Sequence, residues 1–181
     1  MAGGAVERVD MDGVIYIENF LANHNNIFNY LIDNVAWDER MAARKTASYG
    51  VAYNYSQISY PFQPMLPELS KICSALFAVL DFEPNNCLIN YYPDGKSKMG
   101  FHSDQIDILE KDTGIAIISL GQTRSLKFRN IKNNNETFDY ALPSGSLLYM
   151  TQNIQKEWEH AIPKSDVESG RMSLTLRKII S

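Results

Sequence analysis

The sequence predicts an α+β fold in which two amphipathic helices come first and an antiparallel jelly roll or barrel follows. Three observations predict it. Two helix-periodic stretches lie before residue 81, short strand-like runs recur from residue 87 onward, and turn-rich clusters such as Pro93-Asp94-Gly95 and Asn133-Asn134-Asn135 separate them. Helices grouped before strands are the pattern of an α+β domain, and many short, evenly spaced strands suit a jelly roll or barrel.

The first helix is expected over residues 22–34, where Ile27, Phe28, Leu31 and Ile32 share one face. The second is expected over residues 64–80. There Leu66, Leu69, Ile72, Cys73, Leu76, Phe77 and Leu80 recur at helical spacing, and Pro67 stands near the start, where the missing N–H costs nothing. Strands are expected at 87–92, 98–102, 114–120, 124–129, 136–142, 146–150, 158–162 and 171–179. Lys127 and Arg129 alternate with Leu126 and Phe128, as on a half-buried strand.

The chain has 181 residues, 45% apolar and 21% charged, which fits one domain over 1–181. Residues 1–85 would supply the helices and a substrate lid, and 86–181 the β-core. No apolar run reaches the roughly 18 residues a membrane span needs. The opening Met-Ala-Gly-Gly-Ala-Val lacks a basic segment followed by an apolar one, so no secretory signal is expected. Cys73 and Cys87 are expected to be reduced, buried thiols. The expected setting is cytoplasmic, and the expected state a monomer. A net charge of −4 argues against a large basic groove for phosphates, though not against a local basic patch.

The chemistry concentrates on few residues. The histidines are His24, His102 and His160, and His24 sits among asparagines at a helix start, exposed or capping. His102 and Asp104 are two apart on an extended chain and so face the same side. His160 begins another candidate strand. Two imidazoles and one carboxylate on one face of a metal leave positions open for cosubstrate and O₂. Taken alone, His102-Ser103-Asp104 also reads as a surface pair in a turn, and His160 as a structural histidine. The closing Arg171-Met-Ser-Leu-Thr-Leu-Arg177 stretch places both guanidinium groups on one strand face with Ser173 and Thr175, and Met172, Leu174 and Leu176 on the other. Two carboxylate-binding forks on one face suit a dicarboxylate. Asn90 and Tyr92 share a face by the same parity. The alternative is that both arginines are solvated.

These segments, with Leu88-Ile89-Asn90-Tyr91-Tyr92 and Ile117-Ile118-Ser119-Leu120-Gly121, occur in an order that resembles the AlkB family of Fe(II)/2-oxoglutarate dioxygenases, over roughly residues 44–179. The resemblance implies a double-stranded β-helix core and one Fe(II) held by His102, Asp104 and His160. It implies 2-oxoglutarate held by Asn90, Tyr92, Arg171, Ser173 and Arg177, and O₂ as the second cosubstrate. Where the family's bacterial prototype has Asn, this chain has Ser173, a change worth about 1 kcal/mol in one hydrogen bond. The reaction implied is hydroxylation of a C–H bond with release of succinate and CO₂. Retention of Asp104 favours hydroxylation over halogenation.

Residues 44–50 and 53–56 look like the lid with which AlkB-type repair enzymes cover a flipped base. Tyr49, Tyr53 and Tyr55 would stack on it, and Arg44 and Lys45 would touch a phosphate. The alternative is that these tyrosines are strand residues packing on the core. Repair members carry an acidic residue two places after the iron-binding aspartate, where this chain has Ile106, with Asp107 next. Isoleucine accepts no hydrogen bond and offsets no positive charge. The expected reaction is oxidative demethylation of N-alkylated nucleobases in single-stranded or duplex DNA or RNA. The alternatives are hydroxylation of a small metabolite at the same site and a non-catalytic binding module.

Overall fold

The computed structural model describes residues 11–55 and 57–180. The opening segment and Ser56 of the expected lid lie outside the described residues. Chain order is β1 (Val14–Ile17), α1 (His24–Asn34), β2 (Lys45–Gly50), β3 (Tyr53–Tyr55), β4 (Ile58–Tyr60), α2 (Pro67–Leu80) and β5 (Asn86–Tyr92). There follow β6 (Met99–His102), β7 (Ile115–Gly121), β8 (Arg124–Asn130), β9 (Thr137–Leu142), β10 (Leu147–Met150), α3 (Gln152–Glu157), β11 (Trp158–Ile162) and β12 (Arg171–Arg177).

Two antiparallel sheets form the core, one of order β1-β10-β7-β12-β5-β2 and one of order β6-β11-β8-β9. This is the expected jelly roll. The six-stranded sheet is covered on both faces, which is why β7 and β12 are buried almost throughout. One face packs on the helices: Ile27 and Leu31 of α1 and Leu69, Ile72 and Leu76 of α2 cluster with Ile89, Ile118, Met172, Leu174 and Leu176. The other face packs on the smaller sheet, where Ile115, Ile117, Leu148 and Met150 meet Leu126, Phe128, Tyr140, Trp158 and Ile162. The smaller sheet has one solvated face, so β8 alternates buried and half-exposed. Trp158 packs against Phe138 in this inter-sheet core.

Both expected helices are present, and α2 begins with Pro67 in its first turn. The sequence reading lacked β1, β2, the β3–β4 hairpin as strands, and the six-residue α3. Cys73 and Cys87 are both free, the second fully buried and the first half-buried. No helix among the described residues is long and apolar enough to cross a membrane.

Candidate metal and oxoacid site

Strand pairing puts the two site histidines face to face. In the β6–β11 pair His102 is the direct partner of His160, and their rings lie 4.4 Å apart. The chain then leaves β6, and two residues later Asp104 turns back to the same point. The Asp104 backbone N–H donates to Gln155 Oε1 (2.8 Å), and the Ser103 hydroxyl donates to the Trp158 carbonyl (2.8 Å). These two bonds tie the bend to α3 and β11. One ligand atom from each of His102, Asp104 and His160 lies within 4.8 Å of the others. His102 Nδ1 donates to the Gly100 carbonyl (2.9 Å), which leaves Nε2 as the lone-pair nitrogen, 3.3 Å from Asp104 Oδ1. His160 Nε2 lies 3.8 Å from Asp104 Oδ2.

The electrostatics suit a cation. Burial would push the Asp104 carboxyl up, but the His102 hydrogen bond and the Arg177 and His160 charges hold it well below the usual carboxylate range. Burial pushes His160 down to about 4, so it is neutral. Burial also opposes protonation of His102, but the Asp104 carboxylate prevails and raises its pKa. A neutral imidazole, an acid-resistant carboxylate and a second imidazole form a mixed nitrogen and oxygen donor set suited to Fe(II).

Beside this cluster, β12 and β5 form a charged floor. Register pairs Arg171 with Tyr92 and Ser173 with Asn90, and Asn90, Tyr92, Arg171, Ser173, Thr175 and Arg177 all line one cavity with the three metal-ligand candidates. Arg171 is only 1% exposed. Its Nη2 donates to the Ser119 hydroxyl (2.8 Å), yet its Nε and Nη1 find no partner among the described residues. Burial lowers its pKa to about 10, so it remains charged at neutral pH. Arg177 likewise has unpartnered Nε and Nη1, and its Nη2 lies 3.7 Å from Asp104 Oδ2. Buried guanidinium N–H groups without acceptors are costly, and an anionic oxoacid would satisfy them. The residues present therefore fit both Fe(II) and 2-oxoglutarate.

Sequence reasoning missed several contributors. Arg124 is 3% exposed, donates to the Asp94, Ser97 and Pro163 carbonyls, and lies 5.9 Å from the Tyr92 ring. Its signal was legible: it shares the parity of Leu126 and Phe128, so a cation stood on an apolar face. Gln155, which fixes the Asp104 backbone, carried no such signal.

The expected lid residues divide. Tyr55 lines the cavity and stacks on Tyr53, which is buried with Arg177 4.8 Å from its ring centre. Arg44 reaches inward to Asn90 and Tyr55, while Lys45 pairs with Glu39 at 3.5 Å. Tyr49 requires a correction. It pairs with Cys87, on the face of β2 opposite Thr46 and Ser48, and is buried in the helix-side core, so it cannot stack on a substrate in this cavity. Ile106 is half-buried against the inter-sheet core, and Asp107 is exposed in a turn.

Comparison with known proteins gives the family. A family model described as the 2OG-Fe(II) oxygenase superfamily matches residues 13–177. The alpha-ketoglutarate-dependent dioxygenase alkB homolog 3 of Mus musculus is 31% identical over 173 residues, covering 84% of this chain and 60% of the mouse protein. The DNA oxidative demethylase ALKBH2 of Homo sapiens is 32% identical over 148 residues, covering 76% of this chain and 57% of that protein. The chain thus spans less than two thirds of the length of these relatives. The solved structure of OsALKBH1 matches in fold with a TM-score of 0.69 at 17% identity, covering 94% of this chain and 100% of that one. The chain belongs to the 2OG-Fe(II) oxygenase superfamily, whose members use Fe(II), 2-oxoglutarate and O₂, and within it the chain is AlkB-like.

Proposed function

We propose that the protein is a dioxygenase that hydroxylates a C–H bond of an N-alkylated nucleobase, releasing succinate and CO₂ and, from an N-methyl group, formaldehyde. The observation that carries the reaction class is the pair of buried guanidinium groups with unpartnered N–H donors, set beside a His-Asp-His cluster. The nucleic-acid part rests on the names of the similar proteins and on the aromatic hairpin at the mouth.

His102 and His160 would bind iron through Nε2, and Asp104 through its carboxylate. Arg171, with Tyr92 beside it, would hold one carboxylate of 2-oxoglutarate, and Asn90, Ser173 and Arg177 would bind the rest. When bound, iron, 2-oxoglutarate and O₂ supply the oxidising power, and the carbon chemistry belongs to them rather than to the protein. The chain's own part is to fix the ligands, satisfy the oxoacid and exclude water from a cavity walled by Leu88, Ile117, Leu126, Leu142 and Ile162. A hydroxylated N-methyl group is a hemiaminal, which loses formaldehyde unaided.

A second reading, hydroxylation of a small metabolite, is favoured by one feature of the mouth. Arg44 is turned inward and Lys45 is paired with Glu39, so neither is spare for a phosphate. Incubation with oligonucleotides carrying N-methylated bases decides between the two. Formaldehyde in step with succinate supports demethylation. A metabolite gaining one oxygen, with no formaldehyde from any oligonucleotide, would replace it with the second reading.

A further inference from the structure

The contacts of Arg44 add a charged polar link between two parts of the site, the β3–β4 hairpin and β5. The β3–β4 hairpin is a two-stranded sheet of its own, not bonded into either large sheet. It rests on the site-facing side of β5, where Tyr53 and Tyr60 cluster with Leu88. Arg44 stands just before β2 and spans the gap. Its Nε donates to Asn90 Oδ1 on β5 (2.9 Å), and its Nη2 donates to the Tyr55 hydroxyl on the hairpin (2.5 Å). The guanidinium carbon also lies 5.6 Å from the Tyr55 ring centre and 6.0 Å from that of Tyr92.

The chemistry of these groups fixes an orientation. A guanidinium only donates, so the Asn90 side-chain oxygen must face Arg44. The Asn90 NH₂ is then turned away from Arg44. Asn90 is 3% exposed and lines the cavity, and its NH₂ has no protein acceptor among the described residues. A cavity-lining amide whose oxygen is already taken offers its NH₂ as a donor to an acceptor such as a carboxylate or keto oxygen. No carboxylate among the described residues pairs with Arg44, so the charge-assisted bonds to Asn90 and Tyr55 define its place.

We propose that Arg44 is a positioning residue that ties the β3–β4 hairpin to cosubstrate binding, by holding Asn90 with its NH₂ toward the oxoacid and Tyr55 over the mouth. This rests on the reading of the cavity as a 2-oxoglutarate site. An oxoacid that engages Asn90 stiffens Arg44, and Arg44 in turn stiffens Tyr55. Cosubstrate binding thereby orders the hairpin before the substrate arrives.

The test uses the full chain loaded with Mn(II), which binds without turnover. It measures 2-oxoglutarate affinity by calorimetry and amide exchange in the hairpin by mass spectrometry, with and without 2-oxoglutarate. In the unaltered chain the oxoacid should slow exchange at Tyr53–Tyr55 and Ile58–Tyr60. Arg44→Met keeps the apolar stem and should weaken 2-oxoglutarate by about tenfold, the scale of one charge-assisted hydrogen bond. It should also abolish the hairpin's response. Arg44→Lys keeps the charge without the fork and should fall between the two. Tyr55→Phe removes one hydroxyl and should lose the hairpin's response while leaving affinity within about twofold, a split that general destabilisation would not produce. Arg44→Met binding as tightly as the unaltered chain, or a hairpin responding equally in both, overturns the role given to Arg44 alone. An unaltered chain that binds no 2-oxoglutarate overturns the cavity reading, and this inference falls with it.

Discussion

The floor of the cavity and its mouth are built by opposite means. The floor is made of central strands, with Asn90, Tyr92, Arg171 and Arg177 each no more than 3% exposed and fixed by the β5–β12 register. The mouth is bounded by the small β3–β4 hairpin, where Tyr55 lines the cavity and is half-exposed. A side chain on a buried strand has one direction available, so the polar groups of the floor are held in one arrangement. Side chains on a bend or a hairpin can change without disturbing the sheets. On the proposed function, the rigid floor would serve the reaction and the rim the choice of substrate.

The largest expected effect comes from the metal-ligand candidates. His102→Ala or Asp104→Ala should lower succinate release by at least about a hundredfold and remove tight Fe(II) binding, as measured by metal titration. Next comes the floor. Arg171→Met should raise the 2-oxoglutarate KM about a hundredfold, the scale of breaking a buried charge pair, while metal affinity stays nearly unchanged. Acid should act at the metal end. Because His102 has a raised pKa and must be neutral to bind metal, affinity should fall as pH drops through that raised value and recover above it. Burial already keeps His160 neutral down to about 4, so the effect is that of one proton, about tenfold per pH unit. Affinity that is flat with pH would contradict the assignment of His102.

Substitutions away from the floor should spare it. Ile106→Asp, at the position where the family resemblance implies an acidic residue near the base, should leave 2-oxoglutarate affinity within about twofold yet raise turnover of a cationic N-methylated base relative to a neutral one by several-fold, in a competition assay, because a carboxylate can offset the charge. The smallest effect is expected at Lys45. Its pairing with Glu39 lies at the surface, so Lys45→Ala should change stability by less than about 1 kcal/mol and activity by less than about twofold.

The same contrast explains what the sequence made legible. Strand β12 was readable because alternation put Arg171, Ser173 and Arg177 in phase and Met172, Leu174 and Leu176 out of phase, and the structure buries both faces. β2 was not readable. Its Thr46 and Ser48 are polar yet buried, since Thr46 bonds to the Tyr60 hydroxyl and the Asn86 amide donates to the Ser48 hydroxyl. Without an apolar alternation, Tyr49 was read as part of a lid. α3 is less than two turns long, too short for a helical period to show, although its Gln155 anchors Asp104. Arg124 was visible by parity, but only a view of the buried carbonyls it bonds explains why a cation stands there.

The most direct test is a 2-oxoglutarate titration of the protein with and without Mn(II), repeated for Arg171→Met. Oxoacid binding that needs the metal, and that Arg171→Met loses while still binding Mn(II), is the predicted result. Equal oxoacid affinity in both proteins, or a protein that takes up no divalent metal, would contradict the account.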